Sequence, residues 1–386
     1  MSAYLDHAAT TPMRPAAIAA MTEQLGRVGN ASSLHGSGRA ARRVVEEARE
    51  QIAEAYGAAP AEVIFTSGGT EGDNLAVKGL RAADRPRIAV GSIEHHAVLD
   101  CAEYLQQRHP VDWIPVEANG VYDIGALETI LAERGEDIGL ISAMWANNET
   151  GAIQPVPEIA ALARSHGIRM HTDAVQAAGV LPLDFTASGV DAMTITGHKL
   201  GGPVGVGALL LRRDATPEPV LHGGGQERDI RSGTLDVAAI AGFAAAVAEA
   251  RANRDIEISR ITALRDRLAA GILASVPDAV HTGAAADRLP GIVHISFPGC
   301  EGDALLMLLD AAGVECSTGS ACSAGVARTS HVLTAMGVPE DLASGSLRFS
   351  LGHTSTVDEV EAAIAAIGPA ARRARAAGAR LALSDR

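Results

Sequence analysis

Cysteine is scarce in this chain: Cys101, Cys300, Cys316 and Cys322 are all there are, and no two form a Cys-x-x-Cys pair. That spacing excludes a disulfide framework and a thiolate zinc centre, and no metal site is expected. Basic charge is also short, 32 Lys and Arg against 46 Asp and Glu, for a formal net charge of −14. Such a balance argues against a chain-wide phosphate-binding surface, so no direct nucleic-acid partner is expected, although Arg39 to Arg43 and Arg372 to Arg380 form local basic patches. Long apolar runs are missing too. The longest, Val237 to Ala248, is too short and too alanine-rich to span a bilayer. Met1 to His7 has neither the basic nor the apolar region of a secretory signal, and a soluble, cytoplasmic protein is the expectation. No internal repeat or low-complexity linker stands out.

What remains is an ordinary folded chain of 386 residues, 47% hydrophobic and 20% charged, long enough for two domains. Residues 1–35, with Pro12, Pro15 and the turn-rich Asn30 to Gly36, read as irregular. Arg39 to Tyr56 has helical spacing and stops at Gly57. Apolar runs at Glu62 to Thr66, Arg87 to Val90, Trp113 to Val116, Ile138 to Ala146, Ile168 to Thr172, Ala192 to Thr196 and Val204 to Leu211 read as strands. Helical segments at Asn74 to Arg81 and near 97–108, 123–134 and 156–166 lie between them. That alternation predicts an α/β fold with a mainly parallel, doubly wound sheet. Asp236 to Ala274 reads as a long helical region broken near Asn253-Arg254-Asp255. Beyond it, strands at Ile292 to Phe297 and Ser346 to Leu351, with helices at Asp303 to Ala312 and from Val357, suggest a smaller α/β layer.

Polar groups collect where the predicted strands end, the place where open α/β sheets bind ligands. Lys199, in Thr196-Gly197-His198-Lys199, follows one strand and precedes glycines. Desolvated there it would suit Schiff-base chemistry, though the stretch alone fits a solvated loop lysine better. Ser67-Gly68-Gly69-Thr70 opens a helix and would offer free N–H groups to a phosphate, or merely start the helix. His95, in Glu94-His95-His96, suits stacking on a flat ring or proton transfer as well as it suits a surface pair. Asn148 lies in an Asn-Asn-Glu-Thr-Gly turn. Asp173 ends another strand, and a buried carboxylate there needs a cation. A carboxylate against a pyridinium, with a Schiff-base lysine, is the pairing that pyridoxal phosphate requires. Cys322 lies in a run of small residues from Cys316 to Gly325, which favours an accessible thiol over a locked one.

With Asp173, Gln176, Thr196-Gly197-His198-Lys199 and Gly319-Ser320-Ala321-Cys322 together, the chain resembles the cysteine desulfurases of the NifS/IscS type, class V aminotransferases of pyridoxal-phosphate fold type I. The resemblance runs from Tyr4-Leu5-Asp6-His7-Ala8-Ala9-Thr10-Thr11 to Arg348-Phe349-Ser350-Leu351-Gly352. It implies a large cofactor-binding domain over 14–255 and a small domain from 1–13 and 256–386 that carries a mobile Cys322 loop. It implies that Lys199 bonds the pyridoxal 5'-phosphate aldehyde, Asp173 pairs with the ring nitrogen, Gln176 meets the phenolic oxygen and His95 stacks on the ring. Asn148 would lie beside cofactor and substrate, and Gly69, Thr70, Thr196 and His198 would hold the phosphate. Thr234 would reach the phosphate of the neighbouring subunit in a homodimer, Arg348 would take the substrate carboxylate, and Cys322 would be the nucleophile. The activity implied is conversion of L-cysteine to L-alanine with a persulfide on Cys322, delivered to an acceptor such as an iron–sulfur scaffold or a tRNA-thiolating enzyme. A selenocysteine lyase or a class V aminotransferase would use the same cofactor residues. The long stretch from Cys322 to Met336 is of the IscS-like kind, while the C-terminal tail lacks the scaffold-docking sequence of IscS relatives.

Overall fold

The computed structural model describes residues 2–82, 84–319 and 329–384, with side chains as far as residue 376. After β1 (Ala3–Tyr4) come α1 (Pro15–Leu25), α2 (Gly36–Ala55), β2 (Val63–Thr66), α3 (Gly69–Gly79), β3 (Arg87–Gly91), α4 (His96–Gln106) and β4 (Val111–Ile114). Then follow α5 (Ile124–Arg134), β5 (Ile138–Ser142), α6 (Val156–Ser165), β6 (Arg169–Asp173), α7 (Phe185–Ser188), β7 (Ala192–Thr196) and β8 (Gly207–Leu211). Seven of these strands form one sheet in the order β2-β8-β7-β6-β5-β3-β4. Its pairs are parallel except those of β8, which runs against both neighbours. Helices cover both faces, so strands such as β5 and β8 are buried throughout and read as continuous apolar runs rather than alternating ones.

The 39-residue α8 (Val237–Ser275) leads out of this layer. It is followed by β9 (Val280–His281), β10 (Ile292–Ser296), α9 (Gly302–Asp310), β11 (Val314–Glu315), α10 (His331–Ala335), α11 (Glu340–Ala343), β12 (Ser346–Ser350) and α12 (Val357–Ser384). β12, β10 and β9 make an antiparallel sheet, and β1 pairs with β11 in parallel. Isolated bridges join Asp6 to Ser350 and Ser317 to Arg348, so both the N-terminal segment and the stretch after β11 lie against β12. Ile240, Phe243 and Val247 of α8 pack into the core of the large sheet. Ile261, Leu264, Leu268 and Ile272 of the same helix pack into a second core with Leu5, Phe297, Phe349 and Ile367.

Two expectations are corrected. Residues 15–25 are helical, not irregular. Pro15 occupies the first turn, where its missing N–H is not needed, so it starts α1 instead of breaking it. A Cβ on Gly242 would lie 3.2 Å from the Ala17 carbonyl oxygen, so α1 rests on α8 where a glycine admits it. The expected break at Asn253-Arg254-Asp255 is also absent: α8 runs through it. None of the three residues removes a backbone donor, and burial at both ends of the helix outweighs their modest propensity cost. Among the described residues no helix is long and apolar enough to cross a membrane.

Candidate active site

Every parallel strand of the large sheet delivers its C-terminal end to the same edge, and a cavity of about 310 Å³ opens there. The turn after β2 brings Gly69 and Thr70, the first residues of α3, into its wall. Gly68 stands at φ 153°, a conformation favouring glycine, and a Cβ on Gly69 would meet Val175 Cγ2 at 2.9 Å. The N–H groups of the first turn of α3 are left for an anion by this entry, because no side chain caps the helix.

β3 leads to His95, the N-cap of α4, whose Nδ1 accepts from Ala97 N–H at 3.1 Å. Its proton therefore belongs on Nε2. Burial, then the charge of Lys199, lowers its pKa to about 4, leaving a neutral flat ring. β5 leads to Asn148, and β6 ends on Asp173, followed by Gln176. Gln176 Nε2 donates to the Ala8 carbonyl at 2.9 Å. β7 ends on Thr196, whose hydroxyl donates to Val206 O at 3.2 Å, and continues through His198 to Lys199. Burial and the neighbouring lysine take His198 down to about 4 as well. Lys199 Nζ donates to the carbonyls of Ala8 and, at 2.7 Å, Ala9, in the segment that follows β1. From the second sheet comes Arg348, with Nη1 donating to Asn148 O at 3.0 Å and Nη2 to Asp6 Oδ1 at 2.8 Å.

Thr234 is exposed and is not part of the cavity wall. Its loop is tied to the start of α3 by the Arg231–Glu71 ion pair at 2.8 Å. Cys322 lies outside the described residues; the chain is described up to Gly319, which lines the cavity.

Other groups in and behind the wall were not singled out from sequence. Asp73 of α3, Glu149 and His331 line the cavity, and Glu94 is fully buried behind it. Glu149 Oε2 accepts from Ser330 Oγ at 2.5 Å. Glu94 Oε1 accepts from the Tyr122 hydroxyl at 2.7 Å, while its Oε2 has no partner. Asp173 accepts one backbone bond, from Val175 N–H at 2.8 Å. Burial, then the charge of Asp73, pushes Asp173 up to about 8, and burial takes Asp73 up to about 7. A floor with this much unmet demand for positive charge favours a protonated ring nitrogen.

Residues 3–363 match the family model described as aminotransferase class-V. The chain belongs to this family. It is 56% identical over 384 residues to the IscS-like cysteine desulfurase of Mycobacterium tuberculosis, covering 97% of this chain and 98% of the relative. Cysteine desulfurase NifS of Azotobacter vinelandii is 41% identical over 374 residues, 95% of this chain and 92% of the relative. Among solved structures, a NifS-like protein from Rickettsia africae aligns with TM-score 0.87 and 34% identity, over 96% of this chain and 99% of the other. SspA in complex with cysteine aligns with TM-score 0.80 and 30% identity, over 92% and 100%.

The cofactor of this member of the class V family is pyridoxal 5'-phosphate, and the residues present fit it. The cavity supplies an uncapped helix N-terminus for a phosphate, a neutral imidazole for a ring face, a primary amine and a buried acid in need of a cation.

That acid sets a pH dependence in the cofactor-free protein. Histidines such as His171, His95 and His294, lowered to between about 3 and 4, add stability only as pH rises toward their ordinary 6.5. Asp73 and Asp173 work the other way: raised carboxyls bind more protons folded than unfolded, so stability falls as pH climbs through about 7 and about 8. The thermal midpoint of cofactor-free protein is expected to drop between those pH values, less steeply in Asp173→Asn. A midpoint that rises over this interval contradicts the assignment.

Proposed function

We propose that the chain is a cysteine desulfurase that converts L-cysteine to L-alanine and carries the sulfur as a persulfide on Cys322. The observation that carries this reading is the convergence of Lys199, Asp173, His95 and Arg348 on one cavity. The names of the most similar relatives point the same way. Bound in the cavity, the cofactor would supply an electron sink for the substrate's α-carbon. Gly69, Thr70, Thr196 and His198 would hold its phosphate, Asp173 the proton on its ring nitrogen, Gln176 its phenolic oxygen and His95 one face of its ring. Asn148 would lie beside it.

The chain's own residues do the rest. Arg348 orients the substrate carboxylate through a guanidinium already fixed on Asp6 and Asn148. The Lys199 amine, held near the Ala8 and Ala9 carbonyls, moves protons at the substrate's α-carbon. The Cys322 thiolate bonds the substrate's sulfur as the carbon–sulfur bond breaks. The bonding electron pair stays on carbon, which takes up a proton to become alanine.

The large domain is drawn over 14–255 and the small one over 1–13 and 256–386. The working unit is a homodimer in the cytoplasm, with Thr234 completing the partner's site. The sulfur goes to an acceptor protein such as an iron–sulfur scaffold or a tRNA-thiolating enzyme.

The test is product analysis with L-cysteine and a thiol reductant. Equimolar alanine and sulfide without any keto acid is the expected result. Alanine that appears only when a keto acid is supplied would assign an aminotransferase instead. Turnover restricted to L-selenocysteine would assign a lyase.

A further inference from the structure

Glu149 lines the cavity and has no part in the proposed reaction. It is 2% exposed, and among the described residues the donor to its carboxylate is the Ser330 hydroxyl, 2.5 Å from Oε2. A carboxylate so deep has to be hydrogen-bonded. The turn that carries it is itself fixed. Asn147 Oδ1 accepts from the N–H groups of Glu149 and Thr150 at 3.0 and 2.9 Å, and Asn147 Nδ2 donates to Ile93 O at 3.0 Å. Asn148, in the same turn, offers its carbonyl to Arg348 Nη1.

The same carboxylate lies against Gly319. A Cβ there would come within 3.3 Å of Glu149 Oε2, and Gly319 stands at φ 84°, where glycine is favoured. Gly319 N–H donates to Ser317 Oγ at 3.1 Å, and Ser317 exchanges two backbone bonds with Arg348, at 3.1 and 2.7 Å. On the other side, His331 Nε2 donates to Glu94 O at 2.8 Å, next to Ser330. Cys322 lies between Gly319 and Ser330 in the chain. One buried carboxylate therefore touches the chain both before and after the proposed nucleophile.

We infer that Glu149 is a positioning residue for Cys322. It holds the two flanks of the nucleophile together and ties them to the Asn148–Arg348 contact that aims the substrate. The inference deepens the desulfurase reading and rests on it. Sulfur–sulfur bond formation requires the thiolate to meet the substrate's sulfur along one line, and a loose flank multiplies the arrangements that miss. Proton movement at the α-carbon by Lys199 makes no such demand on the flanks. Ser330 has a second duty to be told apart from this one: its Oγ also accepts from Leu333 N–H at 3.2 Å and caps α10.

The experiment compares two reactions of cofactor-loaded protein. Persulfide formation on Cys322 in a single turnover of L-cysteine needs the nucleophile. Exchange of the α-proton of L-alanine in heavy water needs Lys199 and Arg348 but no thiol. Ser330→Ala should slow persulfide formation at least about tenfold and leave the exchange unchanged. Ser330→Asp keeps an acceptor for Leu333 N–H but sets two carboxylates face to face, so it should be at least as slow. Ser330→Thr, which keeps the donor, should restore the rate. The inference is overturned if Ser330→Asp forms persulfide at the wild-type rate, for the serine is then only a helix cap. It is overturned equally if exchange and persulfide formation fall in step, the mark of general damage. Should either serine variant fail to fold, Glu149→Gln, which removes the charge and keeps the shape, has to divide the two rates in the same direction. A wild type that exchanges the α-proton of L-alanine but forms no persulfide would sink the desulfurase reading instead. Alkylation of Cys322 by iodoacetamide then judges the positioning alone: Ser330→Ala should differ from wild type, and equal rates overturn the inference.

Discussion

Lys199→Ala will lower alanine formation by at least about 10³-fold, the scale on which a group that both bonds and moves protons is missed. The side chain stands where β7 ends, and its amine rests on the carbonyls of Ala8 and Ala9. Truncation removes the amine without disturbing a packed apolar group, so the fold should survive. The variant should also lose its visible cofactor band on dialysis, because noncovalent contacts alone would hold the ring. Lys199→Arg keeps the charge but not a usable nucleophile, and should fail equally. Cys322→Ala makes the informative contrast: equal loss of activity with the band retained. Absorption spectra and alanine assays on the three variants measure this. Retention of more than roughly a tenth of wild-type activity by Lys199→Ala would remove it from the mechanism.

Arg348→Ala should cost about 2–4 kcal/mol of transition-state binding, roughly 30-fold to 10³-fold in kcat/KM. Two charge-assisted bonds to the substrate carboxylate disappear, and the Asp6 carboxylate loses its ion pair at 2.8 Å. The loss should fall mainly on KM, since the carboxylate contact is made before and during the reaction alike. Asp6→Asn separates the two effects, for it leaves the cation in place and only loosens its aim. Steady-state kinetics on both variants decide the matter. An Arg348→Ala enzyme with unchanged KM would mean that the carboxylate binds elsewhere.

Most of the large sheet was legible because a parallel sheet covered on both faces writes its strands as apolar runs, as in Ile138–Ser142 and Ala192–Thr196. Local chemistry misled where a residue has two uses. Pro15 reads as a breaker but stands at a helix start, and Asn253 to Asp255 reads as a turn although packing at both ends carries α8 through. The two-residue β1 is too short for any period, and only its pairing with β11 defines it. The residues that meet in the cavity, Lys199, Asp173 and His95 among them, were legible as candidates because strand ends announce themselves as an apolar run meeting a polar turn. Asp73 was not, since an acid in the first turns of a helix is ordinarily a solvated one that favours the dipole. Glu94 lay next to the histidine pair, and nothing in a single sequence distinguishes it from a surface acid. Burial of a lone carboxylate is a property of the surrounding elements.

The arrangement around β12 has a consequence for biosynthesis. Asp6 and Arg348 are separated by 342 positions in the chain, and Leu5 donates its N–H to Glu315 O and accepts from Ser350 N–H. A ribosome working at about 5–20 residues per second needs roughly 17–70 s to bring the second member of that pair into being after the first. For that interval the opening residues have no strand to join, while the large sheet is free to form around its own neighbours. The carbonyls that meet Lys199 and the carboxylate that aims Arg348 reach their places only once β12 has been made. A nascent chain that has not reached β12 lacks Arg348 and so has no complete cavity.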